Sequence, residues 1–249
     1  MRIKHGVCWI GFRGHAMRVA TAFAAFVAIA GCQGVNSTGS IKPGINDHYR
    51  AADFDPEVWV TRFESESREI FQHRNRLVEI ADLNPGMVVG DIGAGTGLFT
   101  PMFSKAVGPQ GKVMAVDITP GFLELIRSRA EKSGLKNVET VLCPDDSVGL
   151  EPNSIDVAFV CDTYHHFEYP KATLASIHAA LKPGGRLVIV DFLRIEGVTR
   201  EWLLNHVRAG EETVKQEIAD AGFALEPYQP DDSFLEENYV LRFRKPTSP

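Results

Sequence analysis

Three glycines separated by single residues stand in DIGAGTG, Asp91 to Gly97. The stretch follows the apolar run MVVG and leads into an amphipathic one. Such a turn lets ligand atoms approach the backbone closely, because glycine has no Cβ. Asp117 closes the next apolar run, KVMAVD, 20 residues after Gly97. A carboxylate at the end of that run can accept hydrogen bonds from both hydroxyls of a ribose. CPDDSVGL, Cys143 to Leu150, carries Asp145 and Asp146, and register does not choose between them. DTYHHF, Asp162 to Phe167, is the remaining cluster. His165 or His166 can take a proton near neutral pH, and Tyr164 can orient an acceptor. Adjacent side chains project in different directions and no third ligand is evident, so no metal site is expected from this pair.

Two phosphate-binding chemistries do not fit the glycine turn. The dinucleotide fingerprint GxGxxG needs a third glycine where Leu98 stands. The P-loop needs Gly-Lys-Ser/Thr at the helix start, and this sequence lacks it.

Short apolar runs alternate with longer amphipathic ones along the body, the pattern of a parallel α/β sheet. Helices are expected over Phe63–Leu83, from Gly97 to about Val107, from Pro120 to Gly134, over Pro170–Leu181 and over Glu211–Ala221. Strands are expected at MVVGDIG, Lys112–Asp117, Val138–Cys143, Ile155–Asp162 and Arg186–Phe192. Phe223–Tyr228 and Glu237–Lys245 read as a terminal pair. The last strand alternates Tyr239, Leu241 and Phe243 with Val240, Arg242 and Arg244, which fits a half-buried or inserted strand. The helix at Phe63–Leu83 is expected to lie over the pocket as a lid, with Phe71, His73 and Arg74 within reach of a substrate.

The chain has 249 residues and 44% hydrophobic content, enough for one sizeable core. Its first 31 residues hold Arg2, Lys4, Arg13 and Arg18 and no acid. Without them, 22 basic residues face 32 acidic ones, a net charge of −10. An acidic body argues against nucleic acid as the partner, because phosphate binding needs a positive field. Only Cys143 and Cys161 lie in the body, with no CxxC pair and no disulfide framework.

Val19 to Ala30 is a 12-residue apolar run after a basic start. A bilayer-spanning helix needs about 20 such residues, so the run suits a secretory signal instead. IAGC, Ile29 to Cys32, resembles the lipobox of bacterial lipoproteins. That resemblance implies a signal over residues 1–31 and a diacylglycerol on Cys32, with membrane anchoring at the outer membrane or the periplasmic face. Met17 offers an alternative start, and a misread start or signal implies a cytoplasmic protein instead. Residues 32–50, rich in Gly, Ser and Asn, read as a flexible tether to a domain over residues 51–249.

From about Phe63 to Lys245 the motifs resemble those of class I S-adenosylmethionine (SAM)-dependent methyltransferases, the broad group that includes ubiquinone and menaquinone C-methyltransferases. The resemblance implies a Rossmann-like α/β fold: a seven-stranded, mostly parallel sheet, helices on both faces and an antiparallel C-terminal strand. It implies SAM as cofactor, S-adenosylhomocysteine as product and a small-molecule or lipid-like acceptor. Asp91, Gly93, Ala94, Gly95 and Gly97 would wrap the methionyl end, with Asp91 on its amino group. Asp117 would hold the ribose, and Ile118 would pack on the adenine. Asp145 or Asp146 would approach the adenine amino group. Asp162 and the residues after it would face the transferred methyl. Methyl transfer is a direct displacement, so alignment supplies most of the rate and a base is needed only when the acceptor loses a proton. The cluster is not the Asp/Asn-Pro-Pro-Tyr of enzymes that methylate DNA bases or protein glutamine. Two rival readings share the fold: an anchored SAM- or nucleoside-binding protein without catalysis, and an NAD-dependent oxidoreductase, which Leu98 disfavours.

Overall fold

The computed structural model describes residues 39–65, 68–227 and 229–247. Cys32 and the signal lie outside the described residues. Seven strands form one sheet: β1 Val88–Ile92, β2 Lys112–Asp117, β3 Val138–Leu142, β4 Ile155–Cys161, β5 Leu181–Phe192, β6 Ala224–Leu225 and β7 Asn238–Arg244. Their order is β3-β2-β1-β4-β5-β7-β6. The first five strands are parallel, whereas β7 runs antiparallel to β5 and to β6. The last strand is therefore inserted between its neighbours, and both of its edges are paired.

Period-2 alternation explains why both sheet faces are dry. On one face Ala158, Val160, Leu187, Ile189, Leu241 and Phe243 are buried in a single cluster. That cluster includes Leu174 and Ile177 of α6 (Pro170–Ala180) and Val214 and Ile218 of α8 (Glu211–Asp220). The other face buries Val157, Phe159, Val188, Val190 and Val240. There they meet Leu77 of α3 (Arg74–Ile80) and Phe103 and Val107 of α4 (Thr100–Val107). Arg242 and Arg244 alternate out of the core and both reach Glu226, at 2.7 and 2.8 Å.

The order of strands reverses direction at β1, where the chain crosses from β3 to β4. Ligand crevices form at the carboxyl ends of strands on either side of such a reversal. Asp91, Asp117 and Asp162 all lie at those strand ends.

Two expectations need correction. The continuous helix over Phe63–Leu83 is instead α1 (Pro56–Phe63), α2 (Glu69–Gln72) and α3. Asp55 caps α1 by accepting the Glu57 N–H at 3.0 Å, with Pro56 in the first turn. Glu64 has left helical geometry at ψ 44°. The break turns Phe63 and Arg68 towards the pocket and leaves Phe71, His73 and Arg74 outside its lining. His73 packs on Phe234, and Arg74 lies over Phe71. The tether also ends earlier than expected. From residue 39 the chain docks on the domain: the Ile41 N–H donates to the Glu168 carbonyl at 2.9 Å, and Asn46 is buried.

Candidate functional site

A cavity of about 620 Å³ opens over the carboxyl ends of β1, β2 and β4. Its floor is the glycine turn. Gly93 has φ +70°, and a Cβ there would stand 2.2 Å from Thr163 Cγ2. Gly95, at φ +54°, opens on the cavity with Phe63 at 3.6 Å from a Cβ position. A side chain at Gly95 would enter the cavity, and one at Gly93 would push against Thr163, which also lines it. Ala94 also lines the cavity. Gly97 does not; a Cβ there would meet Ile126 at 2.7 Å, so this glycine serves the packing of α5 (Pro120–Lys132).

Three carboxylates face this floor. Asp91 is buried and accepts only from the Thr100 hydroxyl, at 3.1 Å, among its side-chain bonds. Burial pushes its pKa up to about 7, against the Thr100 hydrogen bond that lowers it. Asp117 is 5% exposed and accepts the Gly95 and Thr119 N–H groups, each at 2.8 Å. Burial raises its pKa as well. Asp162 sits at φ +47°, paired with Arg68 and accepting from Asn238 Nδ2 at 2.6 Å. Burial raises its pKa to about 6, with Arg68 opposing. Three desolvated carboxylates around one cavity suit a ligand with cationic groups and hydroxyl donors.

Ile118 lines the wall beside Asp117. Asp145 lines it too and pairs with Arg50, whereas Asp146 lies outside the lining. Of the two aspartates, the fold brings only Asp145 to the cavity. Cys143 stands next to Asp145 in the wall, and burial pushes its thiol up to about 12, which leaves it inert as a nucleophile near neutral pH.

The far end of the cavity belongs to histidines. A short 3₁₀ turn over Tyr164–His166 follows β4 and presents His165 and His166. Tyr164 turns the other way. It is 1% exposed, lies outside the cavity lining, and donates to Glu217 at 2.6 Å. Its expected place beside the acceptor is corrected, because the Glu217–Arg208 pair behind the sheet captures its hydroxyl. His165 Nδ1 lies 2.7 Å from Asp191 Oδ1. Asp191 also accepts the His165 and Phe192 N–H groups, at 2.9 and 2.8 Å, so it stands as an acceptor to the ring. That contact places a ring proton on Nδ1, so that in the neutral ring Nε2 carries the lone pair. Asn46 Oδ1 approaches His166 Nδ1 at 3.1 Å, and Asn46 Nδ2 donates to the His166 carbonyl at 3.0 Å. His206, at the end of α7 (Glu201–His206), comes within 5.0 and 5.1 Å of the two rings. Burial lowers the pKa of His166 well below its ordinary value and that of His206 to about 4, with His165 the next cause in both cases.

The sequence reading missed His206, Asp191, Asn46, Arg68 and Trp59. Only Asp191 carried a visible signal, since it stands in the last turn of a strand as Asp117 does. Trp59, Tyr49, Phe63 and Phe122 form an aromatic wall, with ring centroids 4.8 to 6.4 Å apart.

Residues 83–238 match the family model described as a methyltransferase domain, well over half of the chain. Over 115 residues the chain is 34% identical to the ubiquinone/menaquinone biosynthesis C-methyltransferase UbiE of Burkholderia cenocepacia (strain HI2424), covering 46% of this chain and 47% of the relative. It is 27% identical over 184 residues to the UbiE of Shewanella frigidimarina (strain NCIMB 400), covering 62% and 73%. The match spans about half the length of the first of these relatives. A solved SAM-dependent methyltransferase from Aquifex aeolicus superposes with TM-score 0.66 at 27% identity, covering 77% of this chain and 99% of that one. The glycine turn, the carboxylate of Asp117 at the end of β2 and the sheet order agree with these likenesses, and the chain belongs to the methyltransferase domain family, with S-adenosylmethionine as its cofactor.

Proposed function

We propose that this protein transfers the methyl group of SAM to a small-molecule or lipid-like acceptor that loses a proton during the reaction. The observation that carries this reading is continuity: one cavity holds the glycine turn, Asp117 and the histidine cluster. Asp91 faces the α-amino group, Asp117 accepts from the ribose hydroxyls, and Asp145 stands at the adenine edge with Ile118 packed on the ring. When bound, SAM supplies an electrophilic methyl carbon on a good leaving group. The chain's own part is alignment and proton removal. His165 Nε2 takes the acceptor proton, because Asp191 commits Nδ1–H and stabilises the imidazolium that forms.

Acceptor class follows from the walls. Trp59, Phe63, Phe192 and Trp202 line the cavity and favour an aromatic or apolar body. Trp202 lines the cavity and is 53% exposed, and Ile195 and Val198, in the segment that leads into its helix, are 47% and 73% exposed, so that segment carries an apolar rim. That rim suits an acceptor drawn from a membrane, and a lipidated Cys32 would keep the domain near one. Among the described residues no helix is long and apolar enough to cross a membrane. Incorporation of labelled palmitate into the chain, lost in Cys32→Ala, checks the anchor; an unlabelled chain refutes it.

The function is tested by incubating the protein with methyl-labelled SAM and fractionated metabolite and lipid extracts, then identifying labelled products by mass spectrometry. A labelled apolar product is expected. SAM binding with no labelled product in any fraction would favour the non-catalytic rival.

The raised carboxylates also predict a pH dependence. Asp91 titrates near pH 7 in the folded chain and near 3.8 when unfolded. Its contribution to stability is therefore full at low pH and is lost as pH rises through about 7. The cationic cofactor selects the ionised form. S-adenosylhomocysteine should bind about 10-fold more tightly at pH 7.5 than at pH 5.5, by calorimetry. Asp91→Asn should flatten the profile, and a flat wild-type profile would remove Asp91 from the amino-group site.

A further inference from the structure

Three imidazoles converge at the acceptor end of the cavity. The ligand-capable nitrogens of His165, His166 and His206 all lie within 4.8 Å of one another. They come from two separate elements, the 3₁₀ turn after β4 and the end of α7. A tetrahedral ion with 2.0–2.1 Å bonds spaces its ligands about 3.4 Å apart. Closure by up to about 1.4 Å brings them to that spacing, and half-buried His206 is the ligand with room to move.

The surroundings are those of a built site. Metal-binding histidines use one ring nitrogen for the ion and give the other to an oxygen that fixes the ring. Here Asp191 holds His165 Nδ1 at 2.7 Å and Asn46 holds His166 Nδ1 at 3.1 Å. Both contacts leave Nε2 as the free nitrogen. The docked segment ahead of α1 clamps the third ligand: Lys42 Nζ donates to the carbonyls of Asn205 and His206.

We propose that His165, His166 and His206 bind a divalent ion of the zinc class, with one coordination position left open towards the cavity. Three neutral imidazoles and an open fourth position are the donor set of catalytic zinc. The open position takes an oxygen of the acceptor, a hydroxyl or an enol. With the ion bound, His165 Nε2 is a ligand and no longer the base, its role in the ion-free protein; coordination lowers the pKa of the acceptor oxygen instead, and its proton passes to solvent. The oxygen, or the carbon conjugated to it, then attacks the methyl carbon and the sulfonium leaves with its electron pair. This inference rests on the methyl-transfer reading for the acceptor but not for the ion.

The test uses the full, untagged chain, stripped with a chelator and dialysed against Zn²⁺. Wild type should retain zinc through the cluster. His166→Ala and His206→Ala should each lower zinc affinity by at least about 100-fold, and Asp191→Asn by about 10–100-fold. Co²⁺ should give the visible absorption of a four- or five-coordinate site in wild type and lose it in His206→Ala. S-adenosylhomocysteine calorimetry on the same samples shows that the variants remain folded and reports separately on the cofactor site. Zinc affinity and cobalt spectra unchanged in both histidine variants would overturn the site. Methyl transfer that persists at full rate in the chelated protein would overturn the ion's part in the reaction and leave the His165–Asp191 pair as the base.

Discussion

Asp117→Ala should weaken SAM binding by at least about 100-fold, as read by calorimetry, while the chain still folds. Two hydroxyl hydrogen bonds to a carboxylate contribute about 1.5–3 kcal/mol each, and each 1.4 kcal/mol is a factor of ten. The same side chain ties Gly95 N–H to β2 at 2.8 Å, so its removal also frees the glycine turn at the cavity floor. Folding is affected less. Two N–H groups lose their acceptor, at a cost of about 1–3 kcal/mol each, but a buried carboxylate that desolvation disfavours disappears with them. Far-UV circular dichroism should therefore show a cooperative melt shifted down by a few degrees. Asp117→Asn keeps one acceptor oxygen and should fall between the two. An affinity within about threefold of wild type in Asp117→Ala would remove the ribose role from Asp117.

Asp191→Asn should lower kcat by about 100- to 10,000-fold and leave the affinity for S-adenosylhomocysteine unchanged. Asp191 is 2% exposed and lies outside the cavity lining, so it touches neither the cofactor nor the acceptor. It is a positioning residue. One oxygen accepts from His165 Nδ1 and Phe192 N–H, and the other accepts from His165 N–H. An amide cannot reproduce this pattern. With its NH₂ towards the ring it transfers the ring proton to Nε2, where the acceptor must give up its own. With its NH₂ towards the backbone it opposes the His165 N–H. Either orientation spoils the base or its place. A purely structural role would lower stability and leave the pH profile of kcat unmoved. Here the limb belonging to the base should shift or vanish, whereas Asp191→Glu should restore part of it. Normal turnover with an unchanged pH profile would show that the histidine is not the base.

Legibility in the sequence divides by distance along the chain. DIGAGTG and Asp117 were readable because strand, turn and ligand contact fall within one short unit. Gly93 and Gly95 line the cavity, and the ligand-facing order of those residues follows from their spacing alone. Gly97 shows the limit of such reading: the motif includes it, but the fold uses it against Ile126. The interruption of Phe63–Leu83 was hidden: α1 ends at Phe63 and helix resumes only at Glu69, as α2 and α3, whereas the apolar spacing fits one long helix and does not register that Phe63 and Arg68 face the cavity.

By itself the sequence determined the sheet-forming runs, the glycine turn, the strand-end carboxylates and the presence of two histidines after β4. All are local patterns, fixed by backbone geometry and period. Only the tertiary structure decided which groups surround those histidines. Asn46 reaches His166 from 120 positions away, and Asp191 and His206 arrive through β5 and α7. It also placed Asp145 and not Asp146 in the cavity wall and turned Tyr164 towards Glu217. Neighbours in space that are remote in sequence are set by packing of whole elements against the sheet, and a linear pattern carries no trace of that packing.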